Sequence, residues 1–382
     1  EVLDLHLPEG NGMSSETLLA TVRFGDDERR LVIRVAPRPE SDPVFPTYDL
    51  PAQFAVMRHV EAYGVAAPSC LWVEEDPAVI GAPFLVMDRV DGDVPPDVMP
   101  YTFGAWRPDS TDADLRELAD ASVDVLATIH AVPAPADGLV PTPGPGETAL
   151  AAHLRRLRAF YDWAAEKHGG APLLDRALDW AEQHLPGHAD QVLLWGDARI
   201  GNLMYGGPAG NTPVAVLDWE MATVGPCELD LGWFVYLHRF FQDLAELAGL
   251  PGLPGFLRRE DVARRYADRT GHVPRDLDFY TAYAAIVHGV IMYRIQTRAI
   301  DFGAAVAPEN PDDMILHRAS IEKVLACASE LGLAVHGLAW SPMVGSHGNH
   351  EYLVWLRRAA VGGALDDASA NQRIRDLTRR SE

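Results

Sequence analysis

Apolar runs separated by polar turns occupy the first quarter of the chain. Residues 17–35 contain two of them, TLLATVRF and RLVIRVA, and the polar turn between them is typical of a hairpin. Residues 48–63 have apolar side chains at helical spacing. Two further runs, SCLWVEE and APFLVMDRV, predict strands that end near Asp88. We therefore expect an antiparallel sheet with one helix in residues 1–88.

The spacing of apolar residues becomes mainly helical after residue 92. This spacing predicts helices at 112–131, 149–167, 173–185, 257–270, 277–299 and 313–331. Two short apolar runs among them, VLLW and VAVLDW, predict strands. The Pro- and Gly-rich residues 132–147 predict a surface loop. The expected class is α+β with two lobes, a sheet-based N-terminal lobe and a larger helical C-terminal lobe. The predicted boundaries are an N-terminal lobe at 1–88, a hinge at 89–92, a C-terminal lobe at 93–336, and a tail at 337–382 that packs on the body or on a second copy.

Charge and cysteine usage limit the partners and the compartment. The net charge of −23 over 382 residues makes nucleic acid and anionic membranes poor partners. No apolar run approaches the roughly 18–20 residues that cross a bilayer. The cysteines, Cys70, Cys227 and Cys327, are far apart, which predicts neither a metal cluster nor a disulfide framework and fits the cytoplasm. A cytoplasmic monomer or homodimer is expected.

Two aspartates follow apolar runs and carry the candidate chemistry. Asp197 stands in LLWGDARIGN with Asn202 five residues later, and Asp218 ends the run VAVLD. Transfer of a phosphoryl group from ATP needs a carboxylate that orients the attacking hydroxyl and oxygen ligands for Mg²⁺. Asp197 suits the first role, whereas Asn202 and Asp218 suit the second. The alternative for each Asp is a cap on a turn after a strand.

The ordered motifs G-D-x-x-x-x-N, D-W-E and GPCELDLGW resemble those of the aminoglycoside phosphotransferase family, relatives of protein kinases, over roughly residues 10–335. The resemblance implies a kinase-like two-lobed fold in which Asp197 is the catalytic base and Asn202 and Asp218 bind Mg²⁺. It also implies that Asp230 braces the catalytic loop. Glu220 either helps a second metal ion or faces solvent.

Two residues depart from the pattern of that family. Trp195 stands where the family usually has a His that braces the loop, a role that a Trp packed in the core can take. Gln53 stands where kinase-like folds place the Glu that pairs with a strand Lys, and Arg34 stands at the position of that Lys. Arginine retains the charge and offers a fork that suits phosphate. An ordinary surface arginine on an alternating strand is the alternative.

The nucleotide is expected to bind at two backbone segments. In GNGMSSETLL, Gly12, Ser14 and Ser15 can bring backbone amides close to phosphate oxygens, although an ordinary loop has the same composition. In APFLVMDRVDG, the resemblance implies that backbone groups near Met87 and Arg89 hydrogen-bond adenine.

The acceptor is expected to be a hydroxyl of a small molecule, and its identity stays open. An aminoglycoside suits the acidic charge, whereas a hydroxyacyl-CoA needs a basic groove, for which HLRRLRAF offers Arg155, Arg156 and Arg158. Other candidates, equally compatible with a solvated helix, are Glu147, Tyr161, Asp162 and Trp163. The alternative function is a nucleotide-binding pseudokinase that acts as a scaffold or sensor. Gln53 and Trp195 favour it, and the intact set Asp197, Asn202 and Asp218 argues against it.

Overall fold

A computed structural model describes residues 1–8, 16–135, 138–187, 190–313, 333–344 and 350–358. The chain divides into two units. The first contains Glu1–Trp163 and Leu185–Ala284, and the second contains Ala164–His184 and Ala285–Glu382.

The first unit begins with a five-stranded antiparallel sheet in the order β1-β2-β3-β5-β4. Its strands are β1 (Val2–His6), β2 (Glu16–Phe24), β3 (Asp27–Val35), β4 (Cys70–Glu74) and β5 (Phe84–Asp88). The central strand β3 pairs with β2 and β5, so that Arg34 lies opposite Thr17 and Leu85. Helix α1 (Leu50–Ala62) contacts β4 and β5. Asp49 caps α1 by accepting a hydrogen bond from the Ala52 N–H at 2.9 Å.

Helices make up most of the rest of this unit. They are α2 (Asp112–His130), most of α3 (Ala149–Ala165), α5 (Glu228–Leu247), α6 (Arg259–Thr270) and the start of α7 (Leu277–Asp301). A capping box between Thr111 and Asp114 fixes the start of α2. Helix α2 packs on α6, and α6 also contacts α5.

Two short antiparallel pairs bring the candidate catalytic segments together. Strand β6 (Val192–Leu194) pairs with β9 (Thr223–Gly225), and β7 (Leu203–Gly206) pairs with β8 (Thr212–Val216). A 3₁₀ turn at Ile200–Asn202 precedes β7. The segment between β6 and β7 therefore lies beside the segment between β8 and β9, because β6 pairs with β9 and β7 pairs with β8.

The second unit contains α4 (Pro172–Gln183), the remainder of α7, and the strands β10 (Leu333–Val344) and β11 (His350–Arg358). Strands β10 and β11 form an antiparallel pair that begins four residues before the expected C-terminal tail and continues into it. Within this unit, Lys167 Nζ and His168 Nε2 lie 2.6 and 2.9 Å from Asp301 Oδ1. The helix predicted at 313–331 lies outside the described residues except for residue 313, which ends a 3₁₀ turn.

The predicted α+β class with an antiparallel N-terminal sheet is confirmed, but the sequence reasoning overlooked one helix. Helix α5 carries the GPCELDLGW motif into the fold, and thirteen of its twenty residues are buried. A helix that is buried on nearly all sides lacks the polar face that produces a helical period. Strands β1, β7, β9, β10 and β11 were also not predicted. No helix in the described part of the chain is both long enough and apolar enough to cross a bilayer.

Candidate active site

Three side-chain donors hold Asp197, which lies in the loop after β6. Asn202 Nδ2 donates to Asp197 Oδ2 at 2.6 Å, and Arg199 Nε donates to the same oxygen at 3.1 Å. Trp233 Nε1 in α5 donates to Asp197 Oδ1 at 2.8 Å. The carboxylate is thus fixed in orientation while 16 % of the side chain stays exposed. A carboxylate oxygen accepts about two hydrogen bonds, so Oδ1 has room for one more donor.

Asp230 ties this loop to the start of α5. Its Oδ2 accepts the Trp195 N–H at 2.8 Å and its Oδ1 accepts the Gly196 N–H at 3.0 Å. His130 Nε2, at the end of α2, lies 3.1 Å from the same Oδ2, and Tyr266 hydrogen-bonds the other ring nitrogen of His130 at 2.9 Å. Only 1 % of Asp230 is exposed. This geometry suits the bracing role that the resemblance implies for Asp230.

Gly196 is the position where the loop passes closest to a neighbouring segment. Its φ of +89° lies in the left-handed region, and a Cβ placed there would come within 2.1 Å of the Met221 carbonyl oxygen. Any other residue would be strained in this conformation and would collide with backbone. The residue between Trp195 and Asp197 therefore has to be glycine.

Asn202 and Asp218 are joined through backbone contacts. The Leu217 N–H donates to the Asn202 carbonyl at 2.9 Å. The indole of the fully buried Trp195 donates from Nε1 to the carbonyls of Leu217 at 2.8 Å and Asp218 at 3.2 Å. Trp195 thus fastens the Asp197 loop to the Asp218 segment through a polar contact as well as through packing.

Asp218 has a φ of +58°, a left-handed conformation that is uncommon for residues other than glycine. Such a conformation costs about 1–3 kcal/mol and persists only where the surroundings impose it. The Trp195 and Asn202 contacts impose it here, and they direct the chain so that the Asp218 side chain meets the N-terminal sheet.

Arg34 on β3 reaches this carboxylate across the first unit. Its Nη1 and Nη2 donate to Asp218 Oδ1 at 3.2 and 3.1 Å, and Nη2 lies 3.7 Å from Glu220 Oε2. Burial lowers the pKa of the Arg34 guanidinium, but the Asp218 and Glu220 carboxylates raise it, and the net pKa lies above its ordinary value. Arg34 is therefore a permanent, mostly buried cation, and Glu220 faces this cation rather than open solvent.

Gln53 on α1 stands where kinase-like folds place the Glu that pairs with the strand cation. Gln53 is 6 % exposed, and its Oε1 accepts no hydrogen bond from the part of the chain that the structure describes. Arg34 instead meets the carboxylates of Asp218 and Glu220. The Lys–Glu pair of kinase-like folds is therefore replaced here by an Arg–Asp contact.

The predicted nucleotide contacts are only partly described. Gly12, Ser14 and Ser15 lie outside the described residues. Met87 is buried in β5 and pairs with Val32 and Cys70. The Arg89 N–H donates to the Arg30 carbonyl at 2.9 Å. The adenine contact near Met87 and Arg89 stays a prediction, and the Arg89 donor is already bonded within the sheet.

The side chains fit a divalent cation at the Asp218 end of the site. Asp218 is 25 % exposed, and Arg34 takes only its Oδ1, so that Oδ2 accepts no hydrogen bond within the described residues. Asn202 uses its amide nitrogen on Asp197, which leaves the amide oxygen as its acceptor. Mg²⁺ binds one or two protein oxygens together with water and phosphate oxygens.

Sequence reasoning overlooked three residues of this site. Trp233 contacts Asp197, and His130 contacts Asp230. Arg199 lies between Asp197 and Asp97. Burial lowers the pKa of Arg199, but Asp197 and Asp97 raise it above its ordinary value. Trp233 lies in the motif GPCELDLGW and Arg199 in LLWGDARIGN. Their position near a candidate Asp was the signal that could have identified them. His130 lies 100 residues from Asp230 and had no such signal.

A cluster that the cysteine spacing did not predict lies beyond Asp230. Cys227, Glu228 and His272 place potential ligand atoms within 4.8 Å of one another. The fully buried Glu228 already accepts hydrogen bonds from His272 Nε2 and from the Arg275 N–H, each at 3.0 Å. Burial raises the pKa of the Cys227 thiol to about 12, and nearby Glu228 adds to the shift. Protein donors thus satisfy the Glu228 carboxylate, which explains how this charged group can be fully buried.

Comparisons with known proteins show the family of this chain. The model of the phosphotransferase enzyme family (APH) matches residues 12–282. The mouse (Mus musculus) protein "acyl-CoA dehydrogenase family member 10" is 28 % identical over 292 residues, which cover 73 % of this chain and 26 % of the mouse protein. The chain spans about a quarter of the length of the first curated relatives it matches.

Solved structures share the fold. The crystal structure of a putative aminoglycoside phosphotransferase from Ralstonia eutropha JMP134 superposes with a TM-score of 0.62 at 24 % identity, covering 86 % of this chain and 93 % of that one. A thermostable mutant of an aminoglycoside phosphotransferase, in a ternary complex with AMP-PNP and hygromycin B, has a TM-score of 0.52 at 16 % identity, covering 86 % and 95 %.

The fold is that of the kinase-like phosphotransferases. The chain belongs to the phosphotransferase enzyme family, because the family model covers well over half of it. The expected two-lobed kinase-like class is thereby confirmed.

Proposed function

We propose that this protein transfers the γ-phosphoryl group of ATP to a hydroxyl of a small molecule, with Mg²⁺ as cofactor. The observation that carries the proposal is the convergence of Asp197, Asn202 and Asp218 with the buried cation Arg34. A carboxylate for the hydroxyl, oxygens for a metal ion and a cation for phosphate are the components that phosphoryl transfer requires. The AMP-PNP complex of the related phosphotransferase supports the choice of nucleotide.

In the proposed reaction the substrate hydroxyl donates its hydrogen bond to Asp197 Oδ1, the oxygen with one remaining acceptor position. The hydroxyl oxygen forms a bond to the γ-phosphorus, while the bond between that phosphorus and the β,γ-bridging oxygen breaks and ADP leaves. The hydroxyl proton passes to Asp197. Trp233, Asn202 and Arg199 hold the carboxylate so that this geometry is set before the substrate binds.

Asn202 and Asp218 would hold Mg²⁺, and the ion would neutralise charge on the phosphates. Arg34 would contact the phosphates from β3, where its fork offers several donors. Because Arg34 also bonds Asp218, the cation and the carboxylate keep each other in place. Met87 and Arg89 are proposed to lie beside adenine, and Gly12, Ser14 and Ser15 beside phosphate oxygens.

The metal assignment is tested by nucleotide-dependent stabilisation. ATP is expected to raise the melting temperature more with Mg²⁺ than without it, because a ligand that binds only the folded state stabilises it by mass action. Asp218→Asn should remove most of the increment that Mg²⁺ adds. Glu220→Gln is the comparison variant, since Glu220 also faces Arg34, and an equal loss in this variant would assign Glu220 to a second metal ion. An Mg²⁺ increment that survives in Asp218→Asn would disprove the assignment.

The phosphate assignment is tested at Arg34. Arg34→Ala should weaken ATP by about 10-fold to 100-fold, since hydrogen bonds to charged groups contribute about 1.5–3 kcal/mol, and should change adenosine affinity far less. Arg34→Lys should keep part of the ATP affinity because it keeps the charge. Isothermal titration of wild type and both variants with each ligand measures this difference. Equal losses for ATP and adenosine would place Arg34 outside the phosphate site.

The second candidate function is a nucleotide-binding pseudokinase, which Gln53 favours because its buried side chain supplies no carboxylate to Arg34. An assay of ATP turnover across alcohols, aminoglycosides, macrolides and hydroxyacyl-CoAs separates the two. Phosphoryl transfer to any of these acceptors supports the kinase. Binding of Mg·ATP without transfer to any acceptor supports the pseudokinase.

A further inference from the structure

Arginine 156 on α3 is a half-buried cation with no carboxylate at ion-pair distance within the described residues. Its Nη2 donates to Thr223 Oγ1 at 3.0 Å, and this is the one side-chain hydrogen bond it makes there. Thr223 Oγ1 in turn donates to the Pro141 carbonyl at 3.0 Å. A guanidinium has five N–H donors. The Thr223 hydroxyl therefore uses only a small part of the hydrogen-bonding capacity of Arg156.

The neighbours of Arg156 do not compensate its charge. Glu147 is bound at both oxygens by Arg155, whose Nε and Nη2 donate at 2.9 and 3.0 Å. One carboxylate facing two guanidiniums leaves one positive charge uncompensated in this group of three side chains. Burial lowers the pKa of His153 to about 3, to which the Arg156 charge adds, so His153 is neutral at physiological pH. Burial also lowers the pKa of Arg156 itself.

Arg156 lies beside the segments that form the candidate active site. Thr223, its partner, pairs with Leu194 between β9 and β6, three residues before Asp197. The backbone two residues before Thr223, at Met221, is the one that approaches Gly196. The guanidinium is thus anchored on the strand that lies against the Asp197 loop.

We propose that Arg156 binds an anionic group of the hydroxyl substrate. Partly buried charges are normally paired, and here the substrate supplies the missing partner. The substrate class is then a hydroxy compound that also carries a carboxylate or a phosphate, not a polycationic aminoglycoside. The net charge of −23 does not oppose this, because charges beyond about 8 Å are largely screened at physiological ionic strength. This inference rests on the proposed function, whose acceptor class it specifies.

Matched acceptors test the proposal by kinetics. The pairs are 4-hydroxybutyrate with 1,4-butanediol, and glycerol 3-phosphate with glycerol, and kanamycin represents the cationic class. Wild type should favour the anionic member of a pair, and the pair that shows the larger preference identifies carboxylate or phosphate as the ligand. Arg156→Gln should raise KM for that acceptor about 10-fold to 100-fold with kcat nearly unchanged, as expected for loss of a charge-assisted hydrogen bond of about 1.5–3 kcal/mol.

The neighbouring arginine supplies the control. The double change Arg155→Gln with Glu147→Gln removes the neighbouring ion pair, whose arginine is 61 % exposed, without freeing a carboxylate to bind Arg156, and it should leave KM nearly unchanged. Arg156→Lys should restore part of the KM effect, which distinguishes lost charge from lost packing. A preference for kanamycin or for the neutral acceptors, or a KM that Arg156→Gln does not change, would overturn the proposal.

A binding measurement separates this inference from the proposed reaction. Protein saturated with Mg²⁺ and AMP-PNP is titrated with 4-hydroxybutyrate or with glycerol 3-phosphate by calorimetry. Binding that Arg156→Gln abolishes supports the anion site even if no acceptor is phosphorylated, in which case the proposed function alone fails. If wild type binds neither anion, or the variant binds them equally well, the anion site is disproved.

Discussion

Asp197→Asn is expected to lower the rate of phosphoryl transfer by about 10²–10⁴, the contribution of a positioned general base. Asparagine is nearly isosteric with aspartate, but its side-chain amide is too weak a base to take the proton of the substrate hydroxyl. Mg·ATP affinity should stay close to that of wild type, because Asn202 and Asp218 are assigned to the metal ion and Asp197 is not. Single-turnover transfer of labelled phosphate, together with a nucleotide titration, measures the two effects separately.

Asp97 supplies the matched control for this experiment. It also contacts Arg199, through Nη1, but it lies in the segment after the expected hinge and is 38 % exposed. Asp97→Asn perturbs the same arginine without touching the proposed base, so the transfer rate should fall by less than about 10-fold. If Asp197→Asn transfers phosphate at the wild-type rate, Asp197 is not the base. If both variants lose activity equally, positioning through Arg199 accounts for the loss.

The N-terminal sheet was predictable because its strands are short apolar runs bounded by polar turns. Strands β2 and β3 pair across such a turn, and Ala20 and Leu31, which lie opposite each other in that pair, are buried. Helix α5 was not predictable in the same way, because polar residues of this helix are buried together with its apolar ones. Asp230 and Trp233 interrupt the apolar pattern there because their side chains bond the loop that carries Asp197.

The candidate site was predictable where its residues are close in sequence or follow a motif. Asp197 and Asn202 lie five residues apart, and the structure joins them by a hydrogen bond. Contacts between distant segments were not predictable, because no local pattern encodes the tertiary partner of a side chain. Arg34 illustrates the limit, since its strand position indicated the phosphate side of the site but not its bond to Asp218.

Trp195 shows how a departure from a family motif acquires a physical reason. The sequence suggested only that a buried Trp could brace the loop by packing. Its ring packs against Trp219 with centroids 6.2 Å apart, and its indole N–H holds the carbonyls of Leu217 and Asp218. A donor at this position orients the Asp218 segment, so the substitution of the usual His is compatible with the proposed metal site.

Asp230→Ala is expected to lower the free energy of unfolding by roughly 2–6 kcal/mol, because two backbone N–H groups lose their acceptor at a cost of about 1–3 kcal/mol each. These are the N–H groups of Trp195 and Gly196, and His130 loses its hydrogen-bond partner as well. Urea unfolding monitored by tryptophan fluorescence measures the loss, since Trp195 and Trp233 lie beside the affected loop.

Asp124→Ala is the control for that loss, because Asp124 forms a surface pair with Arg265 in which the two side chains are 29 % and 36 % exposed. Surface pairs contribute about 0–1 kcal/mol, so this variant should unfold close to wild type. His130→Ala should fall between the two, since the backbone donors of Trp195 and Gly196 keep their acceptor. Equal losses for Asp230→Ala and Asp124→Ala would show that Asp230 does not brace the loop. The ordering Asp230, His130, Asp124 follows only if the two backbone hydrogen bonds contribute most of the stability, because they hold the residues that lead directly into Asp197.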